Sequence, residues 1–186
     1  MNSRAAFRFA PVAAVLAVGL AARRARAVET RADVETDHVD AADDGGPRAL
    51  AVVVRPLSMA RGWLGGEVDA ACGEKVVVSV EADGQAYGAS GYRAALGASF
   101  FVQRFAFHGF YVHPTAQWAH AAMPGITATA IGGGVTLGYE WTWPVGATVR
   151  LGGGAGYARA LVNGAGRALG IEGVDPEVDG DVGWVF

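Results

Sequence analysis

The sequence predicts an all-β fold: an eight-stranded antiparallel up-and-down β-barrel that follows a cleaved signal peptide and a disordered linker. Three observations favour this fold. From Leu50 onward, large apolar residues occur at every second position, the period of a strand with one apolar and one polar face. Turn residues divide the alternating region into eight stretches, an even number. After the first 27 residues no apolar run approaches the roughly 20 residues of a membrane-spanning helix.

The first 27 residues have the features of a signal peptide. Arg4 and Arg8 precede an apolar run from Phe9 to Ala22, and Ala25–Ala27 supplies small residues at the cleavage positions. A membrane anchor is the alternative, but 14 residues interrupted by Pro11 are few for a span. This segment carries five arginines and no acid, so its removal changes the formal net charge from −3 to −8. That charge argues against nucleic-acid binding, which requires a basic surface.

The composition of residues 28–49 predicts a disordered acidic linker. They hold seven acids and two arginines, with no aromatic residue and no periodicity. Such a segment cannot bury enough apolar surface to fold. The barrel domain is therefore expected at residues 50–186. Its single cysteine, Cys72, excludes an intramolecular disulfide and a cysteine-based zinc cluster.

The strands follow one another along the barrel domain. The sixth and seventh are the clearest, because odd positions from Ile131 to Tyr157 are mostly apolar and even positions hold glycine, threonine or charge. A tight turn at Trp143–Gly146 joins them. We expect strands at 50–57, 62–71, 75–83, 92–102, 109–119, 127–142, 146–157 and 177–186.

The connections between these strands predict long loops at one end, notably at residues 158–176, and mostly short turns at the other. This asymmetry is typical of transmembrane barrels. Pro114 falls inside the fifth strand, and its missing N–H predicts a bulge or kink there.

The polar face of each strand is expected to point into the barrel. An eight-stranded barrel leaves an interior just wide enough for side chains. A closed ring also pairs every backbone group, as a bilayer requires, while the apolar face suits lipid. From the second strand to the eighth, the inward charged or polar residues are Glu67, Asp69, Glu81, Asp83, Arg93, His113, Glu140, Arg150, Asp179 and Asp181.

Aromatic residues on the apolar face sort into two levels, as rings do at the two interfaces of a membrane barrel. One level holds Phe110, Trp141, Trp143, Trp184 and Phe186, and the other holds Trp118 and Tyr157. We therefore predict that the barrel is transmembrane.

One ion pair inside the barrel can be predicted from the turn. Glu140 and Arg150 are equidistant from Val145, so they should face each other across the hairpin. Removing one partner would leave a buried charge, which costs roughly 3–5 kcal/mol. We expect Glu140→Ala to destabilise the barrel, and the double substitution Glu140→Ala with Arg150→Ala to recover part of the loss.

The last strand carries Val182, Trp184 and Phe186 at alternate positions. This pattern resembles the C-terminal insertion signal of Gram-negative outer-membrane β-barrels. With the leader and the eight strands, the chain resembles small barrels of the OmpA/OmpX/OmpW type and uncharacterised small outer-membrane barrel domains. The resemblance implies location in the cell outer membrane, with the linker at residues 28–49 in the periplasm. It also implies contact with outer-membrane lipid, and folding with the barrel insertion machinery and periplasmic chaperones. It implies no particular activity.

No catalytic residue, cofactor or metal site is predicted. The candidate side chains are His108, His113, His120, Ser58, Ser90 and Ser99. His113 and Ser99 lie on the polar faces of neighbouring strands, but no His-x-Ser element exists and the spacings do not indicate hydrogen-bond contact. His108 and His120 lie at opposite ends of one strand, which disfavours a shared metal.

These patterns predict a non-enzymatic, monomeric outer-membrane barrel with a polar, charge-paired interior. Its role would be structural, in surface interaction, or in narrow solute passage. Two alternatives remain open: an outer-membrane lipid-modifying hydrolase and a secreted soluble ligand-binding β-barrel.

Overall fold

The computed structural model describes residues 48–60, 62–85, 90–102, 105–164 and 167–186. The predicted signal peptide (1–27) and nearly all of the predicted linker (28–49) lie outside the described residues. Arg48 and Ala49, assigned to the linker, are attached to the sheet instead. The Ala49 N–H donates to the Phe186 carbonyl at 2.9 Å, and the Arg48 guanidinium donates to the Pro144 carbonyl at 2.8 Å.

The described chain is almost entirely β-structure. Five residues, Pro56–Ala60, form one short helix, α1. The strands are β1 (Leu50–Val54), β2 (Trp63–Ala71), β3 (Val76–Gln85), β4 (Ser90–Phe101), β5 (Gly109–Met123), β6 (Ile126–Thr142), β7 (Ala147–Gly164) and β8 (Arg167–Val185).

The eight strands pair in sequence order and close into a ring, with β1 antiparallel to both β2 and β8. Val52 pairs with Trp184 on β8. The register partners of Val52 can also be followed in the other direction round the ring, from β2 through β7. This path reaches β8 at Val174, which is ten residues before Trp184. A shear of ten in eight strands tilts the strands by about 40° from the barrel axis. The predicted eight-stranded antiparallel all-β arrangement is confirmed.

Predicted strand boundaries are wrong at the end of β1, the end of β7 and the start of β8, and β5 continues four residues beyond its predicted end. β1 ends at Val54 because Pro56 has no N–H for the ladder and instead begins α1. The predicted loop at residues 158–176 is wrong, because residues 158–164 continue β7 and residues 167–176 belong to β8. Pro176 is tolerated in β8 because the registered pairs of β8 with β1 stop at Val182, so β8 is paired on one side only at this height.

The predicted asymmetry of loop lengths is also wrong. We call the end holding the β2–β3, β4–β5 and β6–β7 connections the lower end, and the other the upper end. At the upper end β5–β6 and β7–β8 are joined by two residues each, and Gly125 adopts a φ of 77° in the first of these turns. Long strands, and not long loops, form the upper end. β5 to β8 have 15 to 19 residues, whereas β1 to β4 have 5 to 12.

At Pro114, where a bulge or kink is predicted, the β4–β5 ladder has a gap in its registered pairs and no bulge. On β4 and β5, the pairs Gly97↔Thr115 and Phe100↔Val112 keep one register on either side of it. Because the register is the same on both sides of Pro114, no extra residue is inserted in either strand, as a bulge would require.

The barrel has an apolar outer surface and a charged interior. Along β6, Ile131 and Leu137 are 61% and 59% exposed, whereas Thr136 and Glu140 between and after them are buried. The inward residues named from the alternation all lie on the inner face, and the most enclosed include Glu67, Asp69, Glu140, Arg150 and Asp181. Among the described residues, no helix has the length and apolarity needed to cross a bilayer.

Candidate functional site in the charged barrel interior

The lower end of the interior is filled by apolar side chains. This apolar plug consists of Ala51, Val77, Phe101, Phe107, Tyr111 and Val185. Phe107 is 1% exposed and holds a left-handed φ of 66°, which is rare for a residue with a Cβ. Its carbonyl accepts a hydrogen bond from the Thr142 hydroxyl at 2.5 Å. Burial and this bond hold the Phe107 side chain inside the ring, so the described lower end is packed.

Arg150 lies above the plug at the centre of a cluster of carboxylates. From β7 it crosses the interior to β2, where its terminal nitrogens lie 2.8 Å from Glu67 and 2.5 Å from Asp69. It also approaches both neighbouring strands, with Glu140 on β6 at 3.5 Å and Asp181 on β8 at 3.8 Å. Arg150 is 3% exposed, so these contacts replace most of its hydration.

The pair predicted from the turn, Glu140 and Arg150, is one side of this larger cluster. The two residues are register partners on β6 and β7. Glu140 is also held by the Thr148 hydroxyl, which donates to Oε1 at 2.8 Å. Because Glu67 and Asp69 make the shorter contacts to Arg150, removing both Glu140 and Arg150 would leave two buried carboxylates without this cation. The recovery expected of the double substitution does not fit this geometry.

Two further arginines continue the charged layer upward. Arg55, at the junction of β1 and α1, contacts Glu81 on β3 and lies 3.0 Å from Asp179 on β8. Arg93 on β4 lies 2.6 Å from both Glu81 and Asp83. Glu81 therefore joins two arginines from different strands.

The three arginines and their carboxylates form one connected network. Asp181 lies 3.5 Å from Arg55 and 3.8 Å from Arg150, which links the two arginine groups. The carboxylates within 4 Å of these arginines are Glu67, Asp69, Glu81, Asp83, Glu140, Asp179 and Asp181. Seven carboxylates against three guanidinium groups give the network a formal excess of four negative charges.

Inward glycines on β6 and β7 make room for long side chains from the strands beside them. A Cβ at Gly152 would lie 2.7 Å from the Tyr111 hydroxyl oxygen, and a Cβ at Gly138 would overlap the same group. Cβ atoms at Gly134 and Gly156 would lie 2.7 and 2.6 Å from the Glu177 carboxylate. Tyr111 and Glu177 thus lie flat against the wall, which leaves the middle of the upper interior open.

Ser99 and His113 come into contact, which the sequence did not predict. Ser99 Oγ and His113 Nδ1 lie 2.7 Å apart, and Ser79 Oγ lies 3.5 Å from Nε2 on the other side of the ring. No described carboxylate hydrogen-bonds to either ring nitrogen. Ser99 is 2% exposed, so its hydroxyl is not open to a substrate.

The other histidines lie away from this cluster. His120 stacks against Tyr92 with ring centroids 5.5 Å apart and accepts or donates a 3.0 Å hydrogen bond with Thr129. His108 lies in the β4–β5 connection beside Tyr139, at 6.1 Å between ring centroids. Within the part of the chain that the structure describes, no three His, Cys, Asp or Glu side chains are grouped to hold a metal ion.

A water-accessible cavity of about 80 Å³ occupies the upper interior. That is space for roughly six water molecules. Its polar lining includes the network arginines, Tyr111, His113 and Gln117, and the β8 carboxylates Asp175, Glu177, Asp179 and Asp181. The interior is therefore a cup, with a charged floor above the apolar plug.

The predicted insertion signal lies on the outer surface, at the end of β8 and the residue after it. Val182, Trp184 and Phe186 are 40%, 46% and 64% exposed. Trp184 sits between Val52 on β1 and Ala147 on β7, at the joint that closes the ring.

No family model, curated protein or solved structure matches this chain. The geometry of the barrel is accordingly the basis for assigning a function.

Proposed function

We propose that this chain is a monomeric, non-enzymatic β-barrel of the Gram-negative outer membrane, and that its charged interior serves mainly to hold the barrel rigid. Under this proposal it acts as a structural or surface-interaction protein. Its folding partners are the barrel insertion machinery and periplasmic chaperones, with the alternate outward residues Val182, Trp184 and Phe186 as the segment they read.

The reversal of the usual burial pattern is the observation that carries the proposal. Leu96, Ile131 and Leu137 are each about three-fifths exposed (62%, 61% and 59%), whereas Asp69 and Glu140 are fully enclosed. In water, a continuous apolar surface of this kind is a liability. In a bilayer the same surface meets acyl chains, and the pairing of β1 with β8 at Val182–Val185 closes the ring there without a free edge.

Aromatic side chains on the outer surface support a membrane position. Tyr139 on β6 contacts Phe110 on β5 and Trp141 on its own strand, with ring centroids 4.7 and 4.6 Å apart. Tyr92 and Trp118 form a second group, at 5.0 Å. Eight residues of β5 separate Phe110 from Trp118, which corresponds to roughly 20 Å along the axis at the tilt of this barrel. A transmembrane barrel has an apolar band of about 25 Å between two aromatic girdles.

Narrow solute passage is the second candidate role. The water-accessible upper cavity favours it, but the apolar plug at the lower end opposes it. Passage would require Phe101 and Phe107 to move. Recording single-channel conductance in planar bilayers tests this role, and Phe107→Ala is the variant most apt to raise conductance.

The lipid-modifying hydrolase is favoured by one observation, the 2.7 Å contact between Ser99 and His113. The buried position of Ser99 opposes it. Mass spectrometry of membrane lipids from cells expressing the protein, with Ser99→Ala and His113→Ala as comparisons, tests this alternative. A lipid product that both substitutions abolish would establish it.

Cell fractionation tests the proposal against a secreted soluble barrel. We expect the protein in the outer-membrane fraction, extracted only with detergent. On unboiled gels it should migrate differently from the boiled chain, because a closed barrel resists unfolding by detergent. Recovery of the folded protein in the aqueous fraction without detergent would overturn the proposal.

A further inference from the structure

The upper cavity presents more hydrogen-bond acceptors than donors. All three lining arginines already contact carboxylates: Arg150 with Glu67, Arg55 with Asp179 and Arg93 with Glu81. Two lining carboxylates nearer the mouth, Asp175 and Glu177, contact no described basic side chain. Glu177 accepts only a 3.3 Å hydrogen bond from the Thr136 hydroxyl. A solute entering the cup therefore meets free acceptors and a negative field.

The Tyr111 hydroxyl is a second, independent indication of a ligand. Tyr111 is 2% exposed and lines the cavity, and its hydroxyl has no hydrogen-bond partner among the described residues. A buried hydroxyl without a partner costs free energy, so such groups are normally satisfied. Gly138 and Gly152 leave the space in which this hydroxyl sits, so the sequence keeps the group at this position.

We propose that the upper cavity binds a small organic cation through its ammonium N–H groups. Glu177 and Asp175 supply the charge at the mouth, and the Tyr111 hydroxyl accepts from the group that reaches deepest. Charge-assisted hydrogen bonds of this kind are short and strong. No described group of three carboxylate or histidine side chains converges on a metal ion, which favours a ligand with dispersed N–H donors. This binding depends on the folded cup and not on the membrane location proposed above.

Titration calorimetry with 1,4-diaminobutane on the folded full chain tests the proposal. The chain is kept in a zwitterionic detergent, and folding is checked by unboiled gel. We expect saturable binding at one site per barrel. The bis(trimethylammonium) analogue of the same four-carbon chain, which carries the same two charges but has no N–H group, should bind at least about tenfold more weakly at the same ionic strength. Succinate should not bind.

Three variants identify the site. Glu177→Gln should weaken binding about tenfold, and Tyr111→Phe about fivefold, because each removes one acceptor. Glu172→Gln is the matched control: it lies on the same strand with its side chain exposed outside the cup, and it should change affinity less than about twofold. If Glu177→Gln does not fold, Asp175→Asn at the mouth replaces it, with an expected loss of about fivefold.

Three results would overturn the proposal. One is the absence of saturable binding by the folded chain. Another is equal binding of the bis(trimethylammonium) analogue, which would show that charge alone, without N–H hydrogen bonds, accounts for the affinity. The third is unchanged affinity in both the carboxylate and the Tyr111 variants. Each can occur whether or not the barrel proves to be an outer-membrane protein.

Discussion

Arg150 is the residue on which the interior depends most. Arg150 lies on β7, and its guanidinium group contacts carboxylates on β2, β6 and β8. Removing it leaves several carboxylates enclosed without this cation, and an uncompensated buried charge is costly. Removing Glu140 alone leaves Arg150 its two shortest contacts. Removing Arg150 should therefore destabilise the barrel more than removing Glu140.

We expect Arg150→Met to lower the free energy of unfolding by about 3–5 kcal/mol, and Glu140→Gln by about 1–3 kcal/mol. Urea unfolding in detergent micelles, followed by tryptophan fluorescence, measures both. Arg159→Met is the control on the same strand, because Arg159 is exposed opposite Glu172 and should contribute at most about 1 kcal/mol. Equal losses for Arg150→Met and Arg159→Met would contradict the network.

At the scale of elements, the ring is closed by its shortest strand. β1 has four registered pairs with β8, whereas β6 and β7 share seventeen. Above β1, α1 lies beside β8: Leu57 covers the outer side of Gly180, and Arg55 contacts β8 carboxylates inside. A five-residue helix with few contacts supports this joint less well than a continuous ladder would.

Hydrogen exchange should therefore begin at this joint. We expect the amides of Leu50–Val54 to exchange faster than those of residues 131–141 in β6, because opening β1 breaks fewer backbone hydrogen bonds. Exchange followed by mass spectrometry on the folded barrel in micelles measures this difference. Residues 63–71 of β2, which share a ladder with β1 but also pair fully with β3, are the internal comparison. Uniform protection across β1 and β6 would show that the ring has no weak joint.

At the scale of the whole molecule, the question is which solvent the outer surface meets. Val135 lies on the outer face of β6, 46% exposed, between the two aromatic levels. Its register partners are Pro114 and Ala155, so no charged side chain lies directly beside it.

In lipid vesicles we expect Val135→Arg to cost about 2–4 kcal/mol of folding free energy, the cost of arginine near the midplane of a bilayer. Val145→Arg is the control, since Val145 is 69% exposed in the lower β6–β7 turn, and it should cost at most about 1 kcal/mol. Both are measured by urea titration of the inserted barrel. Near-zero effects at both positions would indicate an outer surface in water.

The sequence by itself determined the strand pairing order, the face each side chain takes, and the Glu140–Arg150 register. Strand alternation fixes the face, and a four-residue turn leaves one register for the residues beside it. The same reasoning missed Ser99 and His113, because the six residues between those predicted strands allow several registers. It also missed the extension of β7 and β8, where glycine and charged residues obscure the alternation.

Only the tertiary structure decided which residues meet across the interior. Glu67 and Asp69 are 83 and 81 residues from Arg150, and they reach it because the ring closes with a shear of ten. Shear is the sum of eight separate registers, so no local stretch of sequence encodes it. The cup, its floor and its free acceptors depend on that sum.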